Sequence, residues 1–156
     1  MATMAASSVF VDTNVLVFAH IETAPLHLRA LATLANNHES GQQLWISRQI
    51  IREFLAVVSR PQKFLNPKTP EQLTRFVRIF QDTLHIAEDG PEVMERLLDL
   101  LNEVPVGGRQ IHDANIVATM VANNIPTLLT HTVRDFRRFS GYITVHPLEE
   151  SDLSIQ

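Results

Sequence analysis

Four acidic residues stand at positions where acids are uncommon: Asp12, Glu53, Asp113 and Asp135. Asp12 closes the short β-branched and aromatic run Ser8-Val9-Phe10-Val11, and the polar pair Thr13-Asn14 follows it. Glu53 falls on the inward line of a helical pattern with Ile50, Phe54 and Val57. Asp113 heads a pattern continued by Val117, Met120 and Val121, and Asp135 follows a strand-like run ending at Thr130, with Thr132 between. Each acid has an ordinary explanation when taken alone. Asp12 could cap a helix, a contribution of about 1 kcal/mol. Glu53 could pair with Arg48 or Arg52, although a buried unpaired carboxylate costs several kcal/mol. Asp113 could answer a helix dipole, and Asp135 a turn or a cap.

Taken together the acids suggest chemistry. Carboxylates converging in a partly desolvated cleft repel one another, so one must bind a proton unless a cation neutralises them. Oxygen-only ligation favours Mg2+ or Mn2+, and a few carboxylates leave coordination positions for water and phosphate. That donor set suits phosphodiester hydrolysis, with the acids holding metal and no covalent nucleophile required.

The elements that must bring these acids together can be read from the pattern. Strands are expected at Ser8–Val11, Leu44–Ile46, His85–Ala87, Thr127–Thr130 and Ile143–Val145. The expected helices run from Asp12 through Leu16 to His20, from Pro25 to Asn37, and from a cap at Ser47 to Val58. Further helices are expected at about Glu71–Gln81, Pro91–Asn102 and Arg109–Asn123, with a helical turn near Asp135. Leu28, Leu31, Ala32, Leu34 and Ala35 are expected to lie on one face of the second helix, with Gly41 marking its end. Short apolar strands alternating with helices make an α/β sandwich with a mainly parallel sheet, whose sites form beyond the carboxyl ends of the strands.

At 156 residues the chain fits one domain. Residues 1–7 are expected to be a disordered lead-in, 8–150 a single domain and 151–156 a tail. No run approaches the roughly 20 apolar residues that span a bilayer, and the start lacks the pattern of a secretory signal, so a cytoplasmic, membrane-free protein is expected. The absence of cysteine excludes disulfides, thiolate metal sites and cysteine nucleophiles. The net charge of −4 argues against a global polyanion-binding field. Yet seven cations and only two acids lie between Arg48 and Arg78, while Asp82, Glu88, Asp89, Glu92, Glu95, Asp99 and Glu103 make the next stretch acidic. The histidines lack metal-ligand spacing, the glycines form no phosphate loop, and the serines show no triad pattern.

Several segments in this order resemble a known family, the PIN-domain ribonucleases, and more closely the VapC toxins of bacterial toxin–antitoxin pairs. They are Val9-Phe-Val-Asp-Thr-Asn-Val-Leu16, Ile50-Ile-Arg-Glu-Phe54, His112-Asp-Ala-Asn-Ile-Val-Ala118 and Leu128-Leu-Thr-His-Thr-Val-Arg-Asp-Phe136. The resemblance covers nearly the whole chain and implies a PIN-like three-layer α/β/α sandwich. It implies Asp12, Glu53 and Asp113 as the core metal-site acids, Asp135 as a fourth, and Asn14 and Thr130 as supporting polar groups. It departs from the family pattern at Thr132, where an Asp or Asn is common. It also implies endonucleolytic cleavage of RNA with Mg2+ or Mn2+, inhibition of translation or growth, a small antitoxin partner and a homodimer. In that setting Arg48, Arg52 and Lys63 are candidates for RNA contacts. A noncatalytic RNA-binding module and a metal-dependent DNA nuclease stand as the alternatives.

Overall fold

The computed structural model describes residues 7–148. The expected lead-in, apart from Ser7, and the expected tail lie outside the described residues, as do 149 and 150 of the expected domain. The strands are β1 (Ser8–Val11), β2 (Gln43–Ser47), β3 (His85–Ala87), β4 (Thr127–Thr130) and β5 (Thr144–Pro147). The helices are α1 (Thr13–His20), α2 (His27–Glu39), α3 (Arg48–Val58), α4 (Pro70–Thr83), α5 (Pro91–Glu103), α6 (Gln110–Ala122) and α7 (Val133–Phe136), with a 3₁₀ turn at Arg137–Phe139.

All four strand pairings are parallel and the order is β3-β2-β1-β4-β5. The chain steps from β1 outward to β3, then crosses back past β1 to β4 and continues to β5. Parallel crossovers are right-handed, so reversing the direction of winding places the helices after β3 on the opposite face of the sheet from those before it. The result is a three-layer α/β/α sandwich. Its reversal point lies between β1 and β4, where open α/β sheets form a crevice beyond the strand ends.

Local chemistry sets the boundaries. Ser47 Oγ accepts from the Ile50 amide and starts α3, and Thr69 with Gln72 forms a capping box at the start of α4. Gly108, at φ +57°, makes the turn into α6 that an L side chain would strain. The sheet core is built from Phe10, Val11, Ile46, Leu128 and Leu129, all buried. Beside it Phe54, Phe76 and Phe80 pack edge-on around His20, whose ring centroid is 5.0 Å from that of Phe80. Burial holds the His20 imidazole below its ordinary pKa, and its Nδ1 meets the Leu16 carbonyl at 2.9 Å. His20 is therefore a half-buried residue packed against the aromatic side of the core.

The apolar face of α2 is largely turned to solvent. Leu28 is 77% exposed and Leu31 49%, and Ala32 and Ala35 are exposed as well, whereas Ala30 is fully buried and Leu34 partly so. The helix packs on α1 through its small residue, and His27 Nδ1, 2.7 Å from the Phe18 carbonyl, fixes its rotation. A helix that is apolar on several sides does not reveal from its sequence which side a neighbour will take. Ala30→Leu is expected to cost about 1–3 kcal/mol by overpacking, and Leu28→Gln to stay within about 0.5 kcal/mol. Urea unfolding of the two variants measures this, and equal losses would place the wrong face inward.

Candidate active site

Asp12, Glu53 and Asp113 open into one cleft of about 530 Å3, although they come from the end of β1, the second turn of α3 and the first turn of α6. Thr13, Asn14, Val17, Phe18, Ala56, Val57, Arg60, Gln62, Phe64 and Ile116 complete its walls. The lining thus combines three carboxylates and small polar groups with apolar side chains, Arg60 and Gln62.

Asp12 is 7% exposed, and both of its carboxylate oxygens are held. Its backbone amide stays in the ladder with Leu129 at 3.0 Å. Oδ1 accepts from the Thr13 amide at 2.8 Å, so the residue also caps α1, and Oδ2 accepts from Thr130 Oγ1 at 2.7 Å. Thr130 Oγ1 in turn accepts from the Thr132 amide at 3.0 Å. Glu53 is half-buried, and its Oε2 accepts from Thr13 Oγ1 at 2.9 Å. It makes no ion pair among the described residues, and Arg48 pairs with Glu88 at 2.5 Å. Asn14 ties α1 to the loop after β4, donating to Thr132 Oγ1 at 3.3 Å and accepting from the His131 amide at 3.1 Å.

Burial raises the Asp12 pKa to about 6, the hydrogen bonds from Thr130 and Thr13 oppose the rise, and the charges of Glu53 and Asp135 add to it. The Asp113 pKa is also pushed up to about 6, first by burial and then by Asp12, Asp135 and Glu53, with Arg138 opposing. The acids thus feel one another as the sequence suggested. Asp135 is exposed on α7 and does not line the cleft, although its charge reaches both raised acids.

Arg48, Arg52 and Lys63 are exposed and none of them lines the cleft. The cation that does is Arg60, whose Nε donates to the Ala56 carbonyl at 3.0 Å. Sequence reasoning passed over Arg60 because it follows the end of its helix and no periodicity aims it. It also missed Arg138, placed near Asp113 by a turn of the chain after β4, and Gln49, buried one turn before Glu53. The signal for Gln49 was available, since a second polar residue stands at i−4 on the line of Glu53.

The group that fits this donor set is a hard divalent cation. Three carboxylates in one cleft carry mutually unfavourable charge, two of them with raised pKa, and a cation would relieve it. Among the described residues no three His, Asp or Glu side chains stand close enough to enclose an ion.

The family model described as PIN domain matches residues 9–141. The ribonuclease VapC43 of Mycobacterium tuberculosis is 27% identical over 145 residues, covering 89% of this chain and 95% of the relative. Among solved structures, the fold is similar to that of M. tuberculosis VapC20, described as a Sarcin-Ricin loop cleaving toxin, with TM-score 0.64 at 16% identity, covering 89% of this chain and 99% of the other. A toxin–antitoxin complex from Klebsiella pneumoniae matches with TM-score 0.62 at 22% identity over 91% of this chain and 98% of that one.

The raised acids fix a sign for pH dependence. Asp12 has a folded pKa of about 6 against an ordinary 3.8, so its stabilising contribution is full below about 4 and is lost as pH rises through about 6. In EDTA, Asp12→Asn is expected to melt above wild type at pH 7, by on the order of 2–3 kcal/mol in stability, with a flatter profile between pH 4 and 7. Calorimetric melting checks this, and a profile identical to wild type would remove Asp12 as the raised group.

Proposed function

The chain belongs to the PIN domain family, and from that premise we propose that it is a Mg2+- or Mn2+-dependent endoribonuclease, the toxin of a toxin–antitoxin pair that inhibits translation or growth. The observation that carries this reading is the meeting of Asp12, Glu53 and Asp113 in one cleft at the reversal point of the sheet. The relatives named as ribonucleases supply the choice of RNA.

Asp12, Glu53 and Asp113 would hold the cation, with Asp135 outside as an additional negative charge. When bound, the ion supplies Lewis-acid stabilisation at the phosphate and lowers the pKa of water for attack. The protein's own groups do the positioning. Thr130 and the Thr13 amide fix both oxygens of Asp12, and the Thr13 hydroxyl fixes Glu53. Asn14 and Thr130 therefore keep their supporting parts around the acids. Arg60 is suited to a phosphate of the strand, since a guanidinium binds phosphate by paired donors. Arg48, Arg52 and Lys63 contribute to the general field along the RNA. A small antitoxin would cover the cleft, a reading supported by the toxin–antitoxin complexes among the solved relatives. A homodimer and a cytoplasmic location accompany this reading. No helix among the described residues is long and apolar enough to cross a membrane.

Purified protein is expected to cut a structured-RNA pool with Mg2+ or Mn2+, to stop in EDTA, and to lose at least about 100-fold in rate as Asp12→Asn, consistent with losing one charged ligand. RNA binding without cutting by metal-loaded protein would indicate a noncatalytic module, and cutting confined to a parallel DNA substrate would indicate a DNA nuclease.

Arg60→Ala is expected to raise KM for a cleaved RNA by about 10- to 100-fold, the range for one charge-assisted contact. It should also lower the salt slope of binding by roughly 0.7, the single-strand value for one phosphate. Arg48→Ala, already paired with Glu88, should move KM less than about twofold. Filter binding over a salt series together with initial rates decides, and the reverse order of effects would shift the RNA path to the outer face of α3.

A further inference from the structure

Gln49 is 7% exposed, and both ends of its side-chain amide are in use. Its Nε2 donates to the His112 carbonyl at 2.9 Å, and its Oε1 accepts from Asn115 Nδ2 at 2.8 Å. Asn115 Nδ2 also reaches Asp89 Oδ2, in the connection after β3, at 3.3 Å. Gln49 lies one turn before Glu53 on α3, and its two partners lie on either side of Asp113 on α6. One buried amide therefore spans the two helices that carry two of the three cleft carboxylates.

α3 packs chiefly against α1 and α4, and α6 chiefly against α5 and α7. The first turn of α6 has no side-chain cap and is entered through Gly107-Gly108. Asp113 and Glu53 carry like charge across the cleft, so the force acting on that first turn pushes it away from α3. The Gln49 amide opposes this movement with two hydrogen bonds in a buried setting, where leaving its partners unsatisfied is costly.

We propose that Gln49, together with Asn115, is a positioning residue of the site, a buried amide bridge that keeps Asp113 and Glu53 within reach of one divalent cation against their mutual repulsion. The proposal rests on the divalent-metal reading above, and its test therefore measures metal directly. Gln49→Met keeps the length and volume of the side chain and removes both hydrogen bonds. Mn2+ titrated calorimetrically into the full chain without RNA is expected to bind the variant about tenfold more weakly than wild type, the scale on which groups behind a ligand act. At saturating Mn2+ the KM for RNA should stay within about twofold. Asn115→Ala, which leaves the bond to His112 in place, should weaken Mn2+ by a smaller factor. The double variant should be no worse than Gln49→Met alone, because the two residues act through one bridge.

A folded Gln49→Met protein that melts earlier yet binds Mn2+ within about twofold of wild type would overturn the proposal and leave Gln49 a packing residue. If Gln49→Met does not fold, Asn115→Ala carries the same decision, and unchanged Mn2+ affinity there overturns the bridge. A wild-type protein that binds no Mn2+ would overturn the metal reading itself and the bridge with it, an outcome read in the wild-type arm alone.

Discussion

The Asp12 carboxylate is the joint on which the architecture of the site turns. One oxygen begins α1 by accepting from Thr13, the other takes the Thr130 hydroxyl from the end of β4, and the backbone amide continues the ladder to Leu129. β1, β4 and α1 are thus tied at a single side chain placed where the winding of the sheet reverses. Removing a carboxylate from water is costly, and both of its oxygens are satisfied here, one at the start of α1 and one at the end of β4. Its neighbours then inherit the problem of charge. Asp113 is raised by Asp12, Asp135 and Glu53 together, and the groups around it are arranged to restrain that repulsion.

Much of this could be read in the sequence, for a definite reason. The strands are short β-branched runs between turn residues, and the acids interrupt apolar stripes, so Asp12, Glu53 and Asp113 stand out by contrast with their neighbours. The helix boundaries were legible because side chains write them locally, as at Ser47 and at the Gly107-Gly108 break. α4 begins at Pro70 and ends at Thr83, beyond the expected span, because its capping box lies outside the apolar pattern that marked it.

What was not legible depends on contacts between elements. The rotation of α2 is decided by α1 and by a histidine reaching a carbonyl nine residues back. The basic segment looked like a single feature, but Arg48 is paired to an acid forty residues away and Arg60 alone among its cations lines the cleft. Gln49 and Asn115 look like ordinary polar residues until α3 and α6 are set side by side. Local sequence thus identified the charged groups, while the neutral groups that restrain them emerged only with the tertiary structure.

The Thr130–Asp12 hydrogen bond joins residues 118 positions apart, and that separation has a consequence for biosynthesis. At about 5–20 residues per second, translation separates the two residues by roughly 6–24 s. During that interval the emerging chain has β1 and its aspartate but neither β4 to hold the carboxylate nor α6 to bring Asp113 against it. An unfinished polypeptide therefore cannot assemble the cleft. On the proposed reading, a protein directed against RNA passes through its own synthesis, beside the RNA of the ribosome, in an inert form, and becomes competent only after most of the domain has been made.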